Sequence, residues 1–479
     1  MVKFDKKLLL NLFFICLSIR FISAELKPND LEMVNPDTVN KSLEIILPDN
    51  LRADFNWGFA ICEYQNSGQE HCSNSNWADW ENSKFSNGNS HIKEAQVSGK
   101  SCDFWNNYKK DIELMKEMGV SSLRFSVAWD KIEPEQGKFD ENALQHYQDL
   151  CEELIKSGIK PLISLHHFVH PRWFEQLGGF EKEENIKYFV RFSKKVFNRL
   201  SDKVDLWCTI NEPNVFMLQG YIRGVFPPGK INPYIALKVL RNLLKAHTEV
   251  YKKLKSLPNG FESQIGFIHQ YLKFNAYRGW NVIEHIPGLY LNYIVNYLTL
   301  NFLKTGKYSV PGLNYEADIE RPLDYIGLNY YSRALLKSQL SLSEPIVATC
   351  YPDEIMTDMP YAIYPRGFYQ AIKDVASIGV PVYITENGIA DQKDDRREKF
   401  ITGYLQAMFD AIKEGVDVRG YYYWTFTDNF EWDEGFLMKF GIFKVNCETQ
   451  ERTFRQGANY LKQVMLAYQN RIKESEKYS

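Results

Sequence analysis

The chain has 479 residues, with 57 Lys and Arg against 60 Asp and Glu, so its formal net charge is −3. Hydrophobic residues make up 44% and charged residues 24%, which is typical of a folded globular protein and excludes a disordered chain. The balanced charge gives no basic stripe for a nucleic-acid backbone, so we expect no nucleic-acid partner. The aromatic share of 15% suits a large core and a sugar-binding cleft equally well.

The first 24 residues have the pattern of a secretory signal peptide. Lys3, Lys6 and Lys7 precede an apolar run over residues 8–18, and Ala24 is a suitable cleavage position. The alternative is an uncleaved membrane anchor, but the run is shorter than the roughly 20 apolar residues that a span needs. We therefore expect export to a periplasm, a lumen or the medium, and no membrane span after cleavage.

The rest of the chain is predicted to form one domain. Residues 25–50 are polar and rich in Pro and Asp, and we interpret them as a lead-in segment before a domain over residues 51–467. Residues 468–479 are predicted to be a polar tail. No long Pro-, Gly- or Ser-rich linker divides the domain.

Seven cysteines remain after removal of the predicted signal peptide, so at least one thiol is unpaired in a monomer. Cys62, Cys72 and Cys102 lie in one early loop-rich stretch, where one local disulfide is an option. No Cys/His cluster has the spacing of a zinc site, so we expect no metal.

Eight short apolar or β-branched runs recur along the domain, and most are separated by stretches with the apolar spacing of amphipathic helices. Three of these stretches end at Gly119, Gly158 and Gly415, where glycine favours helix termination. The repeated strand, helix and glycine stop is the βα unit of a parallel sheet. The runs span residues 55–60, 122–127, 160–167, 204–210, 264–269, 324–331, 381–386 and 419–426.

Eight such units predict an α/β fold of the (β/α)8 TIM-barrel class, with extended loops near residues 61–104 and 270–320 at its C-terminal face. A doubly wound open sheet is the alternative. Its dinucleotide-binding form is disfavoured because no G-x-G-x-x-G motif follows the first run.

Two glutamates follow predicted strands on nearly opposite sides of such a barrel. The fourth run leads into Asn211-Glu212-Pro213, and the seventh into Glu386-Asn387-Gly388. One Glu at a strand-to-loop junction is usually a solvated or capping residue. Two facing carboxyl groups, however, are what cleavage of a glycosidic bond requires: one protonated to assist the leaving oxygen, and one ionised to attack the anomeric carbon.

Amide, imidazole, carboxylate and indole groups lie at the other predicted strand ends, and these groups bind sugar hydroxyls and sugar faces. A lone His or Trp on an apolar strand is more often a core residue. His167 and Trp424 are therefore candidates only because other polar and aromatic candidates lie at the same strand ends. The candidates are Gln65, Arg124, His167, Asn329, Tyr331, Trp424, Glu431 and Trp432.

Seven motifs in one order identify a resemblance over about residues 53–465: WGFAICEYQ, LRFSVAW, LHHF, TINEP, IGLNYY, YITENG and WTFTDNFEW. With them the chain resembles glycoside hydrolase family 1, the β-glucosidase family of retaining enzymes. Because related barrels share the NEP triplet alone, the ordered set carries the resemblance. It implies a retaining β-glycosidase, first of all a β-glucosidase, acting on a small-molecule β-glycoside without a cofactor.

The resemblance assigns roles to individual residues. Glu212 is implied as general acid/base and Glu386 as nucleophile, with Arg124 and Tyr331 beside the nucleophile. Asn211 would bind the sugar 2-hydroxyl, and the two carboxyl groups of a retaining enzyme should lie about 5–5.5 Å apart. The remaining implied substrate contacts are Gln65, His167, Asn329, Trp424, Glu431, Trp432 and Phe440.

Two positions bear on the substrate class. A carboxylate at Glu431 would repel a phosphate, which favours an unphosphorylated glucoside, galactoside or related sugar. Family members with Gln at the acid/base position act on thioglucosides, and Glu212 argues against that specialisation.

The chain also departs from the family pattern. Asn66-Ser67-Gly68 and the stretch WNNY at residues 105–108 replace the usual residues, and Tyr361 stands where a Trp often faces the leaving group. These departures leave the aglycone preference open. Two other functions also remain open: a transglycosylase on the same scaffold, and a barrel kept as a sugar-binding or receptor module. The sequence indicates no oligomeric state.

Overall fold

The computed structural model describes residues 47–341 and 344–477, so the predicted signal peptide and most of the lead-in segment lie outside the described residues. At its centre, eight parallel strands close into a barrel, which confirms the (β/α)8 class. Each strand pairs with the one before it in the chain, and the last pairs with the first. The strands are β1 (Asn56–Ala60), β2 (Ser122–Ser126), β3 (Lys160–Ser164), β4 (Leu206–Asn211), β5 (Gln264–Gln270), β6 (Tyr325–Asn329), β7 (Val382–Asn387) and β8 (Val418–Trp424).

A main helix follows each strand. In α2, the Asp140 side chain caps the first turn by accepting hydrogen bonds from the backbone N–H groups of Asn142 and Ala143. The glycine stops are confirmed, because α1, α2 and α7 end two residues before glycines with positive φ. The helices are α1 (Phe104–Glu117), α2 (Glu141–Lys156), α3 (Ile186–Leu200), α4 (Pro233–Lys255), α5 (Leu298–Thr305), α6 (Pro365–Ala376), α7 (Arg397–Lys413) and α8 (Asn459–Lys477).

Helix α8 extends past residue 467, where the sequence predicted a polar tail. Tyr468 is buried; its hydroxyl donates to the carbonyl of Arg52 and accepts from the N–H of Phe55, both at 2.9 Å. The folded domain therefore reaches beyond the predicted boundary, and the last helix packs against the start of the barrel.

The long connections at the C-terminal face are more ordered than the sequence predicted. Helices Glu63–His71 and Asn76–Glu81 lie in the first of them. After β5, the helix Val282–Asn292 continues through a π-helical turn, Tyr293–Tyr297, into α5. A three-stranded sheet, Ile346–Thr349, Arg333–Ser338 and Lys273–Ala276 in spatial order, joins the connections that follow β5 and β6. Other short elements include the helices Trp129–Ile132, Arg172–Gln176 and Pro213–Leu218, and the strand pairs Lys307–Tyr308 with Tyr315–Glu316 and Phe443–Val445 with Arg452–Phe454.

Aromatic side chains fill much of the interior, with Trp57, Trp77, Trp129 and Trp207 fully buried. Much of the aromatic surplus therefore belongs to the core. The seven cysteines of the described residues are free thiols, and Cys62, Cys72 and Cys102 are buried without a disulfide. The optional local bridge is thus not formed.

Two negative findings apply to residues 47–341 and 344–477. No helix there is both long and apolar enough to cross a membrane. No group of three or more His, Cys, Asp or Glu side chains there is placed to hold a metal ion.

Candidate active site

Glu386, near the end of β7, is held by two hydrogen-bond donors. Arg124 on β2 donates from Nη1 to Oε1 at 2.5 Å, and Tyr331, just after β6, donates from its hydroxyl to Oε2 at 2.7 Å. All three side chains come from different strand ends, which meet only because the barrel closes. Burial acts to lower the pKa of Arg124, but the carboxylate of Glu386 raises it overall, so the arginine stays charged.

Glu212 follows β4 directly and has a backbone φ of 45°, in the left-handed region, at the start of helix Pro213–Leu218. Its Oε1 accepts a hydrogen bond of 2.7 Å from the Asn329 side chain. Burial and the nearby charge of Glu386 raise the pKa of Glu212 well above its ordinary value, against the opposing effects of Asn329 and Arg124. Two carboxyl groups therefore share one site in different environments, one beside a cation and one in a desolvated position.

A chain of hydrogen bonds connects the two carboxyl groups. Arg124 Nη2 donates to Asn211 Oδ1 at 2.7 Å, and Asn329 Nδ2 donates to the same oxygen at 3.2 Å and to Glu212. Thr385 donates to Asn329 Oδ1 at 2.7 Å. Asn329 thus positions Glu212 and Asn211. Its predicted contact with the substrate stays a prediction.

Sequence reasoning missed two members of this network. Thr385 holds Asn329, and Ser164 at the end of β3 accepts a hydrogen bond of 3.1 Å from Arg124 Nε. Thr385 directly precedes Glu386, and Ser164 lies three residues before His167. Strict alternation of side chains would put each on the opposite face of its strand from that site residue, so alternation gave no signal for them; in β7 the register is irregular between Ile384 and Glu386.

The predicted sugar-binding groups converge at the same end of the barrel. Gln65 donates from Nε2 to Glu431 Oε2 at 3.0 Å, which joins the ends of β1 and β8. Loss of hydration and the nearby Glu386 raise the pKa of Glu431 to about 8. Burial lowers the pKa of His167 well below its usual value, so its imidazole is neutral.

Three buried polar atoms in this group have no hydrogen-bond partner among the described residues: Gln65 Oε1, His167 Nδ1 and Asn211 Nδ2. Unpaired buried donors and acceptors are costly in a folded protein and are rare without a functional reason. Three such atoms on three neighbouring predicted site residues indicate a place for a polar ligand.

Aromatic rings enclose the polar groups. His167 lies 6.1 Å from Trp424 and 6.0 Å from Trp432, measured between ring centroids. The ring of Phe440 lies 6.0 Å, and that of Tyr361 6.2 Å, from the ring of Tyr331. The structure thus places the two indoles beside His167, and Phe440 and Tyr361 beside Tyr331, which contacts Glu386.

The departures from the family pattern contact one another behind the site. Ser67 Oγ accepts a hydrogen bond of 3.0 Å from the N–H of Trp105. Asn66 donates to Thr427 at 3.3 Å and accepts from Asn429 at 3.0 Å. These buried residues join the loop after β1 to the loop after β8, and so support the Gln65–Glu431 pair.

Two cavities of about 400 and 740 Å³ lie at the opposite end of the barrel. The smaller is lined around Gly379–Val382, before β7, and the larger around Gly158–Pro161, at the start of β3. Neither contains a residue of the site described above, and parallel barrels carry their chemistry at the other face.

A family model described as glycosyl hydrolase family 1 matches residues 47–470. The chain belongs to this family. The protein is therefore a glycoside hydrolase, as the motifs predicted.

Individual relatives align with most of the chain. Beta-glucosidase A of Thermotoga maritima is 31% identical over 443 residues, covering 86% of this chain and 96% of its own length. A 6-phospho-beta-galactosidase of Clostridium acetobutylicum is 30% identical, covering 78% of this chain and 89% of its own. The solved structure of a beta-glycosidase from Pyrococcus horikoshii has a TM-score of 0.79 at 33% identity, covering 88% of this chain and 96% of that one.

Proposed function

We propose that the protein is a retaining β-glycosidase that hydrolyses terminal β-linked sugars, with β-glucosides as first substrates. Glu386 attacks the anomeric carbon and forms a covalent glycosyl-enzyme while Glu212 gives its proton to the leaving oxygen. Glu212 then takes a proton from water, which attacks the same carbon and releases the sugar and Glu386. No cofactor enters these steps.

The observation that carries this proposal is the contrast between the two carboxyl groups. Glu386 is paired with Arg124 at 2.5 Å, as suits a nucleophile that must be ionised. Burial and the charge of Glu386 raise the pKa of Glu212, as suits a general acid. Esterification of Glu386 removes that charge, so the pKa of Glu212 falls as its task changes from acid to base.

The surroundings of Glu431 favour an unphosphorylated sugar. The charges that act on this carboxyl come from Glu386, Asp433 and Glu434, all acidic, and each raises its pKa. Arg124 pairs with Glu386 and Lys93 with Glu434, but the acidic groups dominate at Glu431, so a phosphate dianion placed here would meet net repulsion. We therefore infer a neutral β-glycoside as substrate, like that named for the Thermotoga relative rather than the Clostridium one.

Azide distinguishes the two proposed roles. In Glu212→Ala, an aryl β-glucoside with a good leaving group still glycosylates Glu386, and azide, which needs no general base, then releases a β-glucosyl azide. In Glu386→Ala, turnover falls by more than about 10³-fold, and azide displaces the aryl group directly to give the α-glucosyl azide.

The product anomers are read by proton NMR. Equal residual turnover in both variants, or the same anomer from both, would contradict the assignment. Asn387→Ala, beside the nucleophile but outside the proposed reaction, serves as a control and should yield no glycosyl azide in excess of the wild type.

A further inference from the structure

The connection between β5 and α5 exposes a row of large apolar side chains. Trp280 is 78% exposed, Leu289 70%, and Val282 and Ile283 65% each. Their spacing of three and four residues places them on one face of the helix Val282–Asn292 and its π-helical continuation. We call this face the apolar stripe; it consists of Trp280, Val282, Ile283, Ile286, Leu289, Tyr293 and Tyr297.

Hydrogen bonds on its buried side fix the orientation of this helix. Asn292 accepts from the N–H of Phe274 at 3.0 Å and donates to its carbonyl at 2.7 Å, and Asn296 makes the same pair of bonds with Leu272 at 3.3 and 2.8 Å. Gly288 packs against Phe274, since a Cβ added there would lie 3.4 Å from its carbonyl oxygen, in van der Waals contact. The apolar stripe cannot turn inward without breaking these contacts.

Basic side chains flank the stripe. Glu284 is the only acidic residue between positions 279 and 303, and it is buried against Arg278 and Ser338. Lys273 donates to the Tyr297 hydroxyl at 2.6 Å, and Lys304 follows on the same helix. Neither lysine forms an ion pair with any residue that the structure describes.

We propose that the apolar stripe docks on a lipid surface, with the neighbouring lysines at the level of anionic headgroups. The stripe has Trp280 at one end, Tyr293 and Tyr297 at the other and aliphatic residues between. Helices that lie in a membrane interface bury such an apolar and aromatic face in the lipid and hold basic residues beside it. Soluble proteins rarely expose an apolar patch of more than several hundred Å² without a partner.

A second copy of the chain fits this face less well. Stable protein interfaces surround an apolar centre with a polar rim that supplies hydrogen bonds. Here the exposed residues from Gly279 to Tyr297 are Gly, His and the seven stripe residues, and the adjoining lysines would face one another across a symmetric contact. The connection follows β5, so docking would turn the face of the barrel that bears Glu212 toward the lipid. Lipid binding does not depend on the proposed activity.

Sedimentation with vesicles tests the proposal. The full chain should bind vesicles of phosphatidylcholine mixed with phosphatidylglycerol more tightly than vesicles of phosphatidylcholine alone. The double variant Ile283→Gln/Leu289→Gln should lose on the order of tenfold in affinity or more, since two largely exposed aliphatic side chains no longer enter the lipid. Phe261→Gln is the matched control, because Phe261 is 90% exposed in the loop before β5, at the opposite end of the barrel, and its change should leave binding intact.

Hydrolysis of a soluble aryl β-glucoside should be equal in all three proteins, which shows that each is folded. Failure of the wild type to bind either vesicle would overturn the proposal. Unchanged binding by the double variant would also overturn the proposal. Binding would then occur through another segment, such as residues 1–46, which the variant retains. If the wild type forms a dimer, the double variant is a monomer and neither protein binds lipid, the stripe is instead a contact surface for a second copy of the chain.

Discussion

Glu212 and Glu386 are the same kind of residue, and their neighbours give them different chemistry. Glu386 accepts from a cation and a phenol, whereas Glu212 accepts one neutral amide hydrogen bond in a buried position. Asn329 therefore tunes the acid: its hydrogen bond stabilises the charged form of Glu212 and opposes the rise in its pKa.

Replacing Asn329 should move the pH dependence of catalysis. The general acid must be protonated, so kcat/KM falls as the pH rises through the pKa of Glu212 in the free enzyme. Asn329→Ala removes a donor to the ionised form, which raises that pKa further and shifts the basic limb to higher pH by about one unit. The measurement is the pH profile of kcat/KM for an aryl β-glucoside.

Thr385→Val provides the control, because Thr385 contacts Asn329 but not Glu212. It should lower activity with a much smaller shift of the basic limb. A basic limb that stays in place in Asn329→Ala would show that Asn329 does not tune the acid.

The sequence predicted the site residues that follow strands, but not the residues within the strands that hold them in place. Glu212 and Glu386 directly follow apolar runs, so the barrel hypothesis alone brought them together. Thr385 and Ser164 escaped notice because hydroxyl residues are common in strands and become informative only when the partner, Asn329 or Arg124, is known to face them.

Among the secondary-structure elements, the sequence again predicted those that depend on neighbouring residues and missed those that depend on residues distant in the chain. The eight strands lie within a few residues of the eight apolar runs, because each run must be apolar on its own to be buried in a parallel barrel. The sheet formed by Lys273–Ala276, Arg333–Ser338 and Ile346–Thr349 was not predicted. The pairing of Lys273–Ala276 with Arg333–Ser338 joins residues 60 positions apart in the chain, and such pairing leaves no local periodicity. The pairing of Arg333–Ser338 with Ile346–Thr349 is local, but no strand was predicted at either segment.

Glycine in the barrel strands offers a test of packing between elements. A Cβ added to Gly266 in β5 would lie 2.3 Å from the ring of Tyr325 in β6, which is fully buried. We expect Gly266→Ala to destabilise the fold by about 1–3 kcal/mol through overpacking. Urea unfolding measures the free energy.

Gly279→Ala is the matched control, since a Cβ there meets nothing within 4 Å. It should change stability by no more than about 0.5 kcal/mol. Equal stability of the two variants would mean that β5 and β6 are not packed as described.

For the whole molecule, the small net charge of −3 conceals an acidic mouth. Glu386, Asp433 and Glu434 all act on Glu431 there, while Lys93 and Arg223 offset part of the charge of Asp433. The net effect at Glu431 is acidic, and such a field selects ligands by charge. Composition could not show this, because it depends on which acids the barrel gathers at one end.

The acidic mouth predicts selection against phosphorylated sugars. The kcat/KM for an aryl β-glucoside should exceed that for its 6-phosphate by at least about 100-fold. Added salt should reduce this ratio, because it screens the repulsion between the phosphate and the acidic groups. Steady-state kinetics at two ionic strengths measure both effects. Comparable values for the two substrates would assign the enzyme to the phosphorylated class.

The most direct test of the central claim is to trap the covalent intermediate. An activated 2-deoxy-2-fluoro-β-glucoside forms the glycosyl-enzyme faster than water removes it, because the fluorine destabilises the positive charge that develops at the anomeric carbon in both steps. Mass spectrometry of the digested protein should then find one fluoroglucosyl ester per chain, on the peptide that contains Glu386. A label on any other carboxyl group, or turnover of the inhibitor without a covalent adduct, would contradict the account.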